Sequence, residues 1–166
     1  MDLLLNDFLG LLEGETGVYR SLLLVLQKEK TAVVEAKLKD LNEASKEKES
    51  LVLKIRILEE QRTRSLERLA DSLGCPSFGL TLSKISQLVE EPYSTRLRKC
   101  QSNLTALIQS IREVNQSNRS LLTHSLELVR SSLTLLDNLM AYNPVYYRTG
   151  KFQMNDQSGK VLSGRI

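Results

Sequence analysis

The side chains that could perform chemistry are few, and they do not form a catalytic set. His124 is the only histidine, and it stands beside Ser125 in a helical pattern, where consecutive residues point about 100° apart. No acidic residue lies on the same face to orient the imidazole. Cys100 occupies a core position of that pattern, where a free cysteine acts as a small apolar residue. Cys75 lies in a loop without a basic neighbour to activate it.

The paired carboxylates and the glycine-containing segment also lack the arrangement of a catalytic or phosphate-binding site. Glu59-Glu60 and Glu90-Glu91 are sequence neighbours in charged segments, which is typical of a solvated helix face. The segment from Gly74 to Gly79 lacks the lysine and the strand-to-helix context of a phosphate-binding loop. The two cysteines do not have metal-ligand spacing. The sequence therefore predicts a binding protein that is not an enzyme and needs no cofactor and no metal.

Charge and hydropathy exclude two classes of partner. The net charge is only +3, and all of it lies after Tyr142, so a basic stripe with interleaved aromatic residues for nucleic acid is absent. No apolar run approaches the roughly 20 residues of a membrane span. Asp2 and Asp7 stand where a signal peptide carries positive charge. Two cysteines without an export signal favour the reducing cytoplasm as the location.

The elements that carry these residues are long helices. The chain has no Trp and only three Pro, so few segments are interrupted and the core consists mainly of Leu, Val and Ile. Apolar residues at 3-4 spacing predict an all-α fold, an elongated antiparallel bundle or coiled coil. We predict three long helices over 3–37, 40–73 and 93–141, and a short connecting helix over 81–89.

Two interpretations are open for the segment near residue 40. The segment Asp40-Leu41-Asn42-Glu43 has the pattern of a capping box, in which Asp40 accepts from the backbone N–H of Glu43. The alternative is one continuous helix, since neither Gly nor Pro is present. Gly74-Cys75-Pro76 is a clearer stop, because Gly suits a left-handed position and Pro cannot continue a helix.

The last helix differs from an ordinary surface helix. Between Ser94 and Asn138 it has sixteen Ser, Thr or Asn residues and only nine charges, although Glu and Lys are better helix formers. It is longer than the other helices, so part of its apolar face is expected to extend beyond them and to bind a partner. The alternative is that two faces contact two neighbours in one bundle. The candidate binding residues are Val114, Asn115, Asn118, Leu121, Leu122, Leu128, Val129, Leu135, Leu136 and Leu139.

Residues 143–166 have no apolar periodicity, so we predict a helical domain over 1–142 and a flexible basic tail over 143–166. Tyr142, Tyr146 and Tyr147 cluster at the start of this tail, which suits docking on another surface.

The order of these features resembles the FlgN family of bacterial flagellar export chaperones. The clearest segment is Val114 to Leu122, which is similar to the family's N-x-x-N-x-x-L pattern through Asn115, Asn118 and Leu121. The run from Tyr146 to Gly150 resembles the aromatic-to-glycine stretch after the last helix, although Asn143-Pro144-Val145 departs from it. Other matching segments are Leu38 to Leu41, Lys48 with Leu51 and Leu58, Arg62, Gly74, and Leu80 to Ile85.

The resemblance implies a cytoplasmic chaperone of flagellar type III export. Its cargos would be hook–filament junction proteins, whose terminal helical segments bind the last helix. Tyr142, Tyr146 or Tyr147 would contact the export gate or ATPase complex. The alternative is a structural coiled-coil scaffold or tether without chaperone activity, and a homodimer is possible under either interpretation.

Overall fold

The computed structural model describes residues 1–141, and within them it contains four helices and no strand. The helices are α1 (Asp2–Val34), α2 (Leu38–Leu73), α3 (Leu82–Leu88) and α4 (Tyr93–Ala141). The predicted all-α bundle is confirmed. The tail over 143–166, with its tyrosines, lies outside the described residues, so the domain boundary at 142 stays a prediction. The chain divides into two units, Met1–Leu121 and Leu122–Ile166.

The predicted break between the first two helices exists, but the predicted capping box at Asp40 is wrong. Helix α1 ends at Val34, and Ala36 takes a left-handed conformation with φ 53°. The Lys37 N–H donates to the Ala32 carbonyl at 2.9 Å, and the Ala36 N–H donates to the Val33 carbonyl at 3.2 Å. This is the pattern of a Schellman motif, with alanine in the place that glycine usually occupies.

Helix α2 starts at Leu38, so Asp40 lies inside its first turn and its side chain makes no cap. A carboxylate in that turn still favours the helix through the partial positive charge of the helix N-terminus. The other end of α2 follows the prediction. Gly74 is left-handed with φ 65°, and the Cys75 N–H donates to the Ala70 carbonyl at 3.1 Å.

The first unit is a bundle of α1, α2, α3 and the first part of α4 around two apolar clusters. One cluster joins the start of α1 to Leu69 of α2, Ile85 of α3 and Leu97 of α4. The second joins Leu26 of α1 to the first half of α2, with Ile111 and Val114 of α4 against it. Helix α1 is therefore antiparallel to α2 and parallel to α4, as an up-down-up bundle requires.

Helix α3 is shorter at both ends than predicted. It spans Leu82–Leu88, and Thr81 is its N-cap, with a side-chain oxygen that accepts from the Lys84 N–H at 3.3 Å. Ser94 at the start of α4 is buried and donates its hydroxyl to the Ser86 carbonyl of α3 at 2.6 Å. This bond, together with buried Ile85, ties the short helix to the start of α4.

Candidate functional site

Asn118 lies in the core of the first unit and has a structural role. Its side chain is 1 % exposed, and its Nδ2 donates to the Leu26 carbonyl at 2.7 Å and to Glu29 Oε2 at 2.9 Å. Lys48 Nζ of α2 pairs with the other Glu29 oxygen. The three polar side chains of Asn118, Glu29 and Lys48 therefore join α4, α1 and α2, and the Asn118 side chain is not available to a partner at the surface.

A second polar pair lies between α1 and α2. Arg62 Nε donates to Glu15 Oε1 at 2.7 Å, and Glu15 is buried. Burial raises the pKa of the Glu15 carboxyl above its ordinary value, and the Arg62 guanidinium opposes this. The Tyr19 hydroxyl donates to Glu59 Oε1 at 3.2 Å, and burial followed by the Glu59 charge raises the pKa of Tyr19 to about 12. These groups hold the α1–α2 hairpin together.

The other predicted site residues of the first unit are half-buried or exposed. Val114 is half-buried against the second apolar cluster, and Leu121 is half-buried near the end of the unit. Asn115 is exposed. Burial along the segment from Val114 to Leu121 follows the helical period, and Asn118 is its most buried residue.

Residues 122–140 of α4, in the second unit, present a dense apolar surface. Of the eighteen large apolar side chains that are exposed in the described residues, eight lie between Leu126 and Met140. Leu128 is 70 % exposed and Leu135 is 61 % exposed. Sequence reasoning placed Leu128, Val129, Leu135, Leu136 and Leu139 in the site, and all five are exposed here. The structure adds Leu126, Leu133 and Met140, which the same 3-4 spacing predicts; half-buried Leu122 completes the surface.

These apolar residues form two parallel rows along the helix. Seam A consists of Ser125, Leu128, Ser132, Leu135 and Leu139, and seam B consists of Leu122, Leu126, Val129, Leu133, Leu136 and Met140. Each seam alternates steps of three and four residues, which keeps its members on one side of a helix. Neither seam contains a charged residue. Glu127, Arg130, Asp137 and the exposed His124 lie outside both seams.

Metal ligands, thiols and membrane-spanning helices are the other features that could serve a function. Among residues 1–141, no group of three or more His, Cys, Asp or Glu side chains is arranged to hold a metal ion. Both cysteines are free thiols, and burial raises the pKa of Cys100 above its ordinary value. Within the same residues, no helix combines the length and apolar character that crossing a bilayer needs.

Comparison with known proteins agrees with the resemblance found in the sequence. The family model described as FlgN protein matches residues 1–153, which is most of the chain. No curated protein and no solved structure shows significant similarity to the chain. The match includes the helices of the bundle and the apolar seams of α4. Because this match covers most of the chain's length, the chain belongs to the FlgN family of flagellar export chaperones.

Proposed function

We propose that this chaperone binds hook–filament junction proteins in the cytoplasm through residues 122–140 of α4 and delivers them to the flagellar type III export gate. One observation carries the proposal, the two uncharged apolar seams that α4 leaves exposed. The action is binding, without catalysis and without a cofactor.

The surface suits a helical cargo segment. An amphipathic helix binds by placing apolar side chains from successive turns into a complementary row, and both seams have that spacing. Burying one large apolar side chain contributes about 1.5–3 kcal/mol before the costs of association are subtracted. Several leucines together therefore provide enough free energy to hold a segment that would otherwise pair with its assembly partners too early.

We propose that the tail, together with Tyr142 just before it, delivers the cargo to the export gate. Tyr142, Tyr146 and Tyr147 precede a segment that carries the whole net charge of +3, and tyrosine gives a large contact area at low entropy cost. We assign contact with the export gate or its ATPase complex to these tyrosines. Cargo binding and delivery then use different parts of the chain.

The proposal is tested by replacing one exposed residue with a charge. Leu135→Asp should weaken binding to a purified junction protein by about tenfold or more, because a buried carboxylate without a partner is costly. The matched control is Thr134→Asp, on the preceding residue, which points away from both seams. Calorimetry measures the affinity, and circular dichroism measures helix content.

Two outcomes would contradict this assignment. If Leu135→Asp removes helix content together with binding, the residue belongs to a core. If Leu135→Asp and Thr134→Asp bind cargo equally well, the cargo surface lies elsewhere.

The alternative function, a structural scaffold, is distinguished by measuring the mass of the protein in solution. Seams that pair with copies of the chain would give a stable oligomer that Leu135→Asp dissociates.

A further inference from the structure

The exposed surface of residues 122–140 is too wide for one neighbouring helix. Consecutive residues on a helix point about 100° apart. Leu128 of seam A and Val129 of seam B are consecutive, and so are Leu135 and Leu136. The centres of the two seams therefore differ by about 100°, whereas the seam through which a helix packs against one partner helix is narrower than the stripe of about 100° that a surface helix turns toward a whole core. Two neighbours are needed to cover both seams.

In the first unit, the apolar face of α4 is covered by other helices of the bundle. There, Asn118 of α4 bonds to α1, and Ile111 and Val114 pack against a cluster formed by α1 and α2 together. Helix α4 thus has two helical neighbours in that unit. Seam A continues, in sequence, the same 3-4 alternation that places Leu97, Leu104 and Asn118 in the core.

The two seams are not equivalent. Seam B is formed by large apolar residues, while seam A alternates leucine with Ser125 and Ser132. The Ser132 hydroxyl donates to the Leu128 carbonyl of its own helix at 2.9 Å, so the hydroxyl can be buried without requiring a polar partner. Small residues at these positions allow a helix on seam A to approach closely, with large apolar side chains opposite the serines. A helix on seam B packs at ordinary distance.

Two charged residues beside seam B favour one orientation of a helix that packs on this seam. Arg130 and Asp137 each follow a seam B residue, Val129 and Leu136, and lie two helical turns apart on the rim of that seam. A neighbour with an acidic residue near Arg130 and a basic residue near Asp137 would be favoured over the reverse orientation. Rim charges of this kind contribute mainly to specificity.

We propose that the occupant of this surface is a helical hairpin of one partner chain, with one helix on seam A and the other on seam B. The inference rests on the proposed function and specifies the form of its cargo. A second copy of residues 122–140 would cover one seam and leave the other exposed. Two helices of one chain cover both, and after the first helix binds, the second binds within the same complex at a high effective concentration.

The experiment uses three consecutive positions that point in three directions. A photo-cross-linking phenylalanine derivative replaces Thr134, Leu135 or Leu136 in the full-length chain, which is mixed with a purified hook–filament junction protein. Cross-linked peptides are identified by mass spectrometry. The proposal predicts that position 135 cross-links to one helical segment of the cargo and position 136 to a different segment. Position 134 serves as the control and should give no specific product.

Affinities supply the second measurement. Leu135→Asp and Leu136→Asp should each weaken cargo binding by about tenfold or more, while Thr134→Asp stays within about threefold. Cross-links from positions 135 and 136 to the same cargo segment, cross-links from only one of them, or cross-links to a second copy of the chain would overturn the hairpin. Absence of any binding by the unmodified chain would instead overturn the proposed function itself, so the two failures are distinguishable.

Discussion

The side-chain amide of Asn118 donates to Glu29 Oε2 at 2.9 Å, and both residues are buried. The bond fixes α4 against α1 close to the end of the first unit. Asn118 Oδ1 is also buried, and it has no hydrogen-bond partner, so this polar contact is made at some cost in stability. Polar groups at core positions of helical bundles fix register in this way.

Replacing the amide tests its contribution. Asn118→Ala leaves the Glu29–Lys48 pair in place but removes two hydrogen bonds from a buried carboxylate and a buried carbonyl. The free energy of unfolding should fall by about 1–3 kcal/mol, as measured by urea denaturation. Asn115→Ala is the control, because Asn115 is exposed on the same helix and should change stability by less than about 0.5 kcal/mol. Equal effects of the two substitutions would contradict the role given to Asn118.

The turn between α1 and α2 should be improved by glycine. Ala36 has φ 53°, and a residue with a Cβ pays about 1–2 kcal/mol for that conformation. Glycine avoids this cost, although its greater conformational freedom in the unfolded chain offsets part of the resulting stabilisation. Ala36→Gly should therefore raise the midpoint of thermal unfolding, while the β-branched Ala36→Val should lower it. A lower midpoint for the glycine variant would show that the turn is not left-handed at this residue.

Burial of Glu15 predicts a pH dependence with a definite sign. Its pKa is raised from 4.5 in the folded chain, so the folded state binds the proton more tightly than the unfolded state does. The resulting contribution to the free energy of unfolding is present at low pH and is lost as the pH rises through the raised pKa. Glu15→Gln does not titrate. The stability of Glu15→Gln relative to the unmodified chain should therefore increase as the pH rises from below 4.5 through the raised pKa of Glu15.

Urea denaturation at several pH values measures this difference for the two proteins. Glu13→Gln provides a control for removal of a nearby exposed carboxylate that pairs with Arg96. A relative stability of Glu15→Gln that falls with pH would mean that attraction to Arg62 outweighs burial at this site.

The tail should separate cargo binding from delivery. Deletion of residues 143–166 leaves both seams intact, so affinity for a junction protein should stay within about threefold of the full chain. Export of that protein in cells should fall strongly, because the deletion removes Tyr146, Tyr147 and the basic charge, which form most of the proposed contact with the export machinery. Export at the normal level would indicate an inert tail, and loss of cargo binding would place the tail in the cargo site.

Sequence pattern predicted the parts of the fold that depend on local spacing. Apolar 3-4 spacing indicated which face of α1, of α2 and of the first part of α4 packs in the bundle, where Leu5, Phe8 and Leu97 are buried. The stop at Gly74 was predicted because glycine is the residue most often found in a left-handed cap. The turn at Ala36 was misplaced because alanine gives no such signal.

Buried polar pairs could not be found in the same way. Glu15 and Glu29 stand in amphipathic segments where a glutamate ordinarily lies in solvent, and their partners Arg62 and Lys48 are 47 and 19 residues away. Only the packing of α1 against α2 brings them together. For the candidate site, sequence spacing indicated the exposed leucines, but it also included Asn118, since a continuous seam does not reveal where its neighbours end.

Hydrogen exchange of the full-length chain, with and without a purified junction protein, tests whether cargo covers residues 122–140. Cargo should slow amide exchange in peptides from residues 122–140, because a helix covered on both seams opens less often to solvent. Peptides from the α1–α2 hairpin should change little. Slower exchange confined to residues 1–121, or unchanged exchange over 122–140 at saturating cargo, would contradict the assignment of this surface.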